Sequence, residues 1–251
     1  NLRGLSLREY LMIQTGENLP VYSLDEIIDN HELIVRQILS KVSPSVHFKN
    51  YLHHGFYPFF LEKTNYSENL LKAMGMMIEV DILLIKQIER KYLTRIKKLF
   101  YELAINAGKA PNISKLALDV ETSRATVMNY IKNLADARLI NIMHPVGEVH
   151  PKKPTKITLH NSNLLYAIYP INVEIQDVME TFAINSLWKD HKVSQPPHEK
   201  FFFIDENIKA RITDAKRQTK PRTDKNTIYF RYNTEVGAGN NIPIWLLGFL
   251  Y

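Results

Sequence analysis

The clearest periodic pattern of apolar and polar positions lies between residues 111 and 140. Four apolar residues at helical spacing predict a first short helix: Ile113, Leu116, Ala117 and Val120. After a tight turn, Val127, Ile131 and Leu134 recur at i, i+4 and i+7 and predict a second helix. Thr122 or Ser123 can cap the start of this second helix. The pattern therefore predicts a helix-turn-helix, whose second helix can enter a DNA major groove.

The segment that follows predicts two strands around a basic loop. The apolar runs 139–143 and 157–159 are typical of strands, and residues 144–156 between them contain three prolines, a glycine and three lysines. Such a wing makes the unit a winged helix, a fold that also serves in protein docking. The hypothesis of DNA binding uses polar side chains of the second helix and the wing: Arg124, Thr126, Asn129, Lys132, Lys152, Lys153 and Lys156.

Helical patterns dominate the N-terminal part of the chain, and strand patterns appear towards the C-terminus. Ser23 and Glu26 form a capping-box signature before an amphipathic helix, and residues 65–107 predict two long helices. Beyond residue 160 we expect two helices (163–167 and 177–188) and three strands (200–204, 208–212 and 227–232). The predicted fold class is α+β, with a helical region (1–60), a winged-helix domain with two long leading helices (61–160) and a small α/β domain (161–251).

Composition narrows the classes of function. The 251 residues include no cysteine, which excludes disulfides and thiolate metal sites. No signal peptide or membrane-spanning run is present, so we expect a cytoplasmic protein without a membrane partner. The net charge of +6 is compatible with an anionic partner such as DNA, and part of the excess lies in residues 209–225. A solvated basic surface is the alternative interpretation of that stretch.

The order of six short motifs resembles a known family. The motifs are Leu5-Ser-Leu-Arg-Glu-Tyr-Leu11, Phe48-Lys-Asn-Tyr-Leu-His-His-Gly-Phe-Tyr-Pro58, Asn112-Ile-Ser-Lys-Leu-Ala117, Pro154-Thr-Lys-Ile-Thr-Leu-His-Asn-Ser-Asn-Leu-Leu-Tyr166, Glu180-Thr-Phe182 and Asn241-Ile-Pro-Ile-Trp-Leu-Leu-Gly-Phe-Leu-Tyr251. This order is similar to that of prokaryotic AAA-type ATPases that carry a winged helix and a C-terminal domain of unknown function related to PD-(D/E)xK nucleases.

The resemblance implies an ATP-binding domain in cis before this chain, and it makes residues 1–60 the remnant of a helical lid. ATP and Mg²⁺ would then be cofactors of the intact protein. The phosphate-binding pattern Gly-x-x-x-x-Gly-Lys-Ser/Thr does not occur in the sequence, so no ATP-binding residue and no cofactor are assigned to this chain itself. The stretch Gly237-Ala-Gly239 lacks the required lysine and predicts a turn.

The resemblance also implies a restriction-endonuclease-like C-terminal fold, whose carboxylates hold Mg²⁺ beside a lysine. The candidate catalytic residues are Glu180, Asp205, Asp214 and Lys216, with Asp205 and Asp214 as metal ligands. Residues 211–216 depart from the Glu-Val-Gly-Gly-Lys-like sequence of the family, and Met179 replaces its arginine. The leading hypothesis is therefore a non-catalytic C-terminal portion that binds DNA or a partner protein. A Mg²⁺-dependent DNA nuclease and a protein-interaction scaffold are the alternatives.

Overall fold

The N-terminal part of the chain is helical, in a computed structural model that describes residues 4–62, 65–84, 89–150, 152–216 and 226–251. Four helices come first: α1 (Leu7–Thr15), α2 (Leu24–Leu39), α3 (Pro44–His54) and α4 (Tyr66–Met77). The predicted capping box is confirmed, because the Glu26 amide donates to the Ser23 hydroxyl at 3.2 Å while the Ser23 amide donates to the Glu26 carboxylate at 2.7 Å. Ser6 and Glu9 form a second capping box, at the start of α1.

The prediction of two long helices between residues 65 and 107 is wrong in detail. After α4 the chain forms a π-helix (Ile78–Leu84), then a 3₁₀ turn (Arg90–Tyr92), and then α5 (Leu93–Ile105). Leu71, which the pattern placed on the apolar face of the first helix, is 38% exposed, whereas Leu70 and Ile78 are buried as expected. Residues 85–88 lie outside the described residues.

A pair of helices and a two-stranded ribbon lie where the periodic pattern predicted them. These elements are α6 (Ile113–Asp119), α7 (Arg124–Asp136), β1 (Ile140–Met143) and β2 (Lys156–Leu159). Ser123 caps α7, because its hydroxyl accepts a hydrogen bond from the Thr126 amide at 3.1 Å. The ribbon is antiparallel, with Ile140 opposite Leu159.

The C-terminal part combines two helices with a five-stranded sheet. The helices are α8 (Ser162–Ile168) and α9 (Ile175–Leu187), and the strands are β3 (Val193–Ser194), β4 (Phe201–Ile204), β5 (Ile208–Asp214), β6 (Thr227–Tyr232) and β7 (Asn241–Pro243). The strands lie side by side in chain order: β3, β4 and β5 are antiparallel, whereas β5, β6 and β7 are parallel. Helix α9 packs on one face of this sheet. The predicted turn at Gly237–Gly239 is confirmed by a bridge between Ala238 and Asn241.

The two ends of the chain pack together. A final 3₁₀ segment (Ile244–Phe249) contacts α1, α2, α3 and α9. The Tyr22 amide donates to the Phe249 carbonyl at 3.0 Å, and the Ser6 hydroxyl donates to the main-chain oxygen of Tyr251 at 2.8 Å. A Cβ on Gly248 would lie 2.4 Å from that of Leu7, so the close approach requires glycine.

Buried side chains from all three predicted domains form one continuous apolar cluster. Because the core is continuous across residues 60 and 160, it does not mark the two domain boundaries there, and these boundaries stay predictions. Over the described ranges, no helix has the length and apolar character needed to cross a membrane.

Candidate nucleic-acid interface

Helix α7 turns one face to the protein and the opposite face to solvent. Val127, Ile131 and Leu134 are buried. Arg124, Asn129 and Lys132 are exposed, as the sequence predicted. Because a helix repeats every 3.6 residues, Asn129 and Lys132 lie on the side opposite to the apolar positions. Arg124 lies two turns before Ile131, on the same side of the helix, and is exposed because it is the first residue of α7. The exposed positions thus present two cations and an amide on a helix whose first turn is held by the Ser123 cap.

Thr126 does not belong with these exposed side chains. It is half-buried, and its hydroxyl lies 2.9 Å from the hydroxyl of Ser123. Its amide is the donor that Ser123 caps. The structure therefore gives Thr126 a role in starting α7, and the polar residue type alone could not separate that role from DNA contact.

The loop of the ribbon places two further cations in solvent. Lys152 and Lys153 are both exposed, as predicted. The base of the loop is fixed to the C-terminal sheet, because the Thr155 hydroxyl donates to the Gln195 carbonyl at 2.8 Å and the Gln195 amide donates to the His144 carbonyl at 2.9 Å. The ribbon is therefore held at its base while its basic loop stays accessible.

Lys156 is engaged in a largely buried ion pair, which contradicts its assignment as a DNA contact. Its ammonium lies 2.5 Å from the Glu180 carboxylate, and the two side chains are only 12% and 17% exposed. Gln176 also donates to Glu180, at 2.9 Å, and to the Ile212 carbonyl, at 3.2 Å. The pair thus links the ribbon to α9 and the sheet, and Glu180 is occupied by a structural ion pair.

Asp177, which the sequence interpretation missed, lies beside this pair. Burial, followed by the negative charge of Glu180, raises the pKa of Asp177 from 3.8 to about 6. Gly108 lies against the carboxylate with a φ of +77°, and a Cβ there would be 2.2 Å from Asp177 Oδ1. The signal in the sequence was the spacing of three between Asp177 and Glu180, which places two carboxylates on one helix face.

Replacing Asp177 with Asn is expected to stabilise the protein at pH 8 by on the order of 1–2 kcal/mol. The raised pKa means that the folded state holds the proton more tightly than the unfolded state. Wild type therefore loses stability as pH rises from about 4 to about 6, and the neutral amide does not. Urea unfolding of both proteins from pH 4 to pH 8 checks this. Equal pH dependence of the two free energies of unfolding would contradict it.

The predicted nuclease residues do not converge. Asp205 lies in the turn between β4 and β5, and Asp214 is the last residue of β5. Seven strand residues at ~3.3 Å each place the two carboxylates roughly 20 Å apart. Because oxygen ligands lie at ~2.1 Å from Mg²⁺, Asp205 and Asp214 cannot bind the same ion.

Each of these carboxylates has local partners of its own. The Asp205 carboxylate lies 2.6 Å from His191 Nδ1 and accepts from the Lys192 amide at 2.9 Å. Burial alone would raise the pKa of Asp205, but these hydrogen bonds lower it overall. Asp214 accepts from the Lys216 amide at 2.9 Å, and the Lys216 residue is exposed. No group of three His, Asp or Glu side chains in the described part of the chain is arranged to hold a metal ion.

Only part of the basic stretch 209–225 lies within the described residues. Residues 217–225 lie outside the described residues, and Lys209 and Arg211 lie on β5. Of the predicted DNA-binding residues, the structure exposes Arg124, Asn129 and Lys132 on α7 and Lys152 and Lys153 on the ribbon loop. This surface is the candidate interface.

Comparison with known proteins places the chain in a family. An uncharacterized protein of Methanocaldococcus jannaschii is 26% identical over 155 residues, which make up 59% of this chain and 32% of that protein. The chain thus spans about a third of the length of this relative. No solved structure matches. A model of a domain of unknown function, DUF8612, matches residues 45–174, just over half of the chain, and the chain therefore belongs to the DUF8612 family.

Proposed function

We propose that this chain binds double-stranded DNA through α7 and the β1–β2 ribbon, acting as a winged helix. The observation behind the proposal is that α7 buries Val127, Ile131 and Leu134 and leaves Arg124, Asn129 and Lys132 exposed. The three-helix order α5, α6, α7 followed by an antiparallel ribbon is the order of elements in a winged helix.

Each exposed side chain suits a different part of a duplex. Arginine and asparagine form paired hydrogen bonds with base edges in the major groove, which suits Arg124 and Asn129 on the helix. Lysine contacts phosphates as a point charge, which suits Lys132, Lys152 and Lys153. Within the described ranges, none of the four cations forms a salt bridge with a carboxylate. They are therefore available to an anionic partner.

Acidic residues near this surface set the expected strength of binding. Glu121 lies in the turn before α7 and Glu148 in the ribbon loop, and both are exposed. Their charges oppose the approach of phosphates, so we expect binding that is measurable at low salt and weak at physiological salt.

The wider context is also a proposal. We infer from the motif order that the chain acts as the non-catalytic C-terminal portion of an AAA-type ATPase, with ATP and Mg²⁺ bound by a domain outside this sequence. The support for this context is the sequence resemblance alone. The separation of Asp205 from Asp214 speaks against the alternative of a Mg²⁺-dependent nuclease.

Fluorescence anisotropy of a labelled duplex tests the proposed function. We expect the double variant Arg124→Ala/Lys153→Ala to bind at least about tenfold more weakly than wild type at ~50 mM salt, since it loses one helix cation and one ribbon cation. The matched control is Arg36→Ala/Lys49→Ala, which removes the same two residue types from exposed positions on α2 and α3. Equal losses in both variants would favour nonspecific attraction, and the absence of wild-type binding would favour a protein-interaction scaffold.

A further inference from the structure

We propose that the outer face of the five-stranded sheet, turned away from α9, is a second binding site, and that its ligand is a single-stranded nucleic acid. The strand register defines this face, because Phe201 pairs with Arg211, Phe203 with Lys209, and Thr213 with Arg231. The outer sheet face comprises Ser194, Phe201, Phe203, Lys209, Arg211, Thr213, Thr227, Tyr229, Arg231, Asn241 and Pro243.

The opposite, inner face belongs to the core. Successive side chains of a strand point to opposite faces. Phe202, Ala210 and Phe230 are buried, and the Tyr232 hydroxyl donates to the Gln176 side chain of α9 at 3.1 Å. The aromatic and basic residues at the alternate positions are therefore directed away from α9.

One phenylalanine of this face, Phe203, supplies a ring on which a base can stack. Phe201 and Phe203 are both half-buried, and their ring centroids are 5.5 Å apart. The Lys209 ammonium lies 4.5 Å from the centre of the Phe201 ring. Tyr229 is only 8% exposed, and the Arg231 guanidinium covers its ring at 5.2 Å, so Tyr229 is not available for stacking. The Lys209 ammonium likewise covers the ring of Phe201, so stacking is assigned to Phe203.

Unsatisfied polar atoms on the same face call for an anionic ligand. The Nε of Arg211, the hydroxyl of Thr213 and the hydroxyl of Ser194 are shielded from solvent and have no hydrogen-bond partner among the described residues. Buried polar atoms are normally hydrogen-bonded. All three can donate, and phosphate oxygens accept from guanidinium and hydroxyl groups alike. No residue of the outer sheet face is acidic, so the charge is complementary to that of a phosphate chain.

The combination of rings and donors selects the kind of ligand. The three donors lie on β3 and β5, with the phenylalanines on β4 between them. A ligand that satisfies the face must therefore carry several acceptors and flat apolar groups in one chain. A single strand offers phosphates and unpaired bases together, whereas a duplex keeps its bases stacked inside. An acidic peptide would pair with the cations, but its carboxylates would not stack on an aromatic ring.

Anisotropy of a labelled oligothymidine of about 15 nucleotides tests this site, since single strands bind such surfaces over ~4–16 nucleotides. We expect Phe203→Leu to raise the Kd about tenfold, because one stacked base is lost, and Phe203→Tyr to keep the wild-type Kd. Arg211→Gln should also raise the Kd, and Arg211→Lys should raise it less. The control is Phe59→Leu, a half-buried phenylalanine outside the sheet.

Three outcomes would overturn the proposal. The first is no binding by wild type at ~50 mM salt, and the second is a Phe203→Leu variant that stays folded by circular dichroism and binds like wild type. The third is capture of a polyglutamate peptide in place of the oligonucleotide, which would make the partner an acidic protein segment. Duplex binding through α7 uses different residues, so the duplex experiment can succeed or fail independently of these three outcomes.

Discussion

Replacing Asn163 with Ala is expected to lower the free energy of unfolding by about 3–4 kcal/mol. Asn163 is 1% exposed at the start of α8. Its side-chain oxygen accepts from the Phe56 amide at 2.8 Å and from the Tyr66 hydroxyl. Its side-chain nitrogen donates to the carbonyls of Tyr51, at 3.0 Å, and Leu52, at 2.8 Å. Alanine would leave these groups without their partner inside the protein.

The measurement is urea unfolding, with the slope of the transition checked so that a change of midpoint reports stability. The matched control is Asn172→Ala. Asn172 is exposed, and it donates to the Tyr169 hydroxyl at 3.0 Å. We expect this control to change stability by less than about 0.5 kcal/mol. Similar losses in the two variants would show that the buried network around Asn163 does not hold α8 to α3.

Replacing Phe249 with Ala is expected to cost about 3–5 kcal/mol, because the substitution creates a cavity in a close-packed core. Phe249 is completely buried, and its ring centroid lies 5.7 Å from that of Trp245. The segment that carries it packs against both the N-terminal helices and α9. The loss should therefore affect the whole molecule and should not be confined to the C-terminal part.

Unfolding followed by tryptophan fluorescence and by far-ultraviolet circular dichroism measures this effect. We expect one coincident transition in wild type and in Phe249→Ala, shifted in the variant. Ile171→Ala is the control, because Ile171 is 88% exposed and should contribute little. Two separate transitions, with only one of them shifted, would mean that residues 1–60 and 161–251 unfold as independent domains.

Local patterns in the sequence predicted the secondary structure best. The periodicity around α6 and α7 was strong, and both helices and the ribbon after them are confirmed. Boundaries were less accurate: the helix predicted over 163–167 spans Ser162–Ile168, and the helix predicted over 177–188 spans Ile175–Leu187. Strand β3 was missed because two residues carry no periodicity. The irregular region after α4 was missed because its apolar spacing resembles that of a regular helix.

The arrangement of the candidate site depends on contacts between residues that are far apart in the sequence, and local sequence patterns do not predict such contacts. Lys156 and Glu180 are 24 positions apart, so nothing local showed that they form an ion pair. Asp205 was correctly placed after a strand, but its distance from Asp214 depends on the hairpin between β4 and β5. Asp205 and Glu206 adopt positive φ angles of 49° and 69° in that tight turn, which reverses the direction of the chain. Sequence spacing gave no sign of this reversal.

The salt dependence of duplex binding shows whether the cations of α7 and the ribbon contact phosphates. Cations that contact phosphates release counterions, so the logarithm of the binding constant should fall linearly with the logarithm of salt concentration, by about 0.9 for each contact. The three phosphate contacts assigned to Lys132, Lys152 and Lys153 predict a slope of roughly −3. The Arg124→Ala/Lys153→Ala variant loses one of them and should be shallower by about 1, and Arg36→Ala/Lys49→Ala should match wild type. Equal slopes for wild type and the Arg124→Ala/Lys153→Ala variant would contradict DNA binding through α7 and the ribbon.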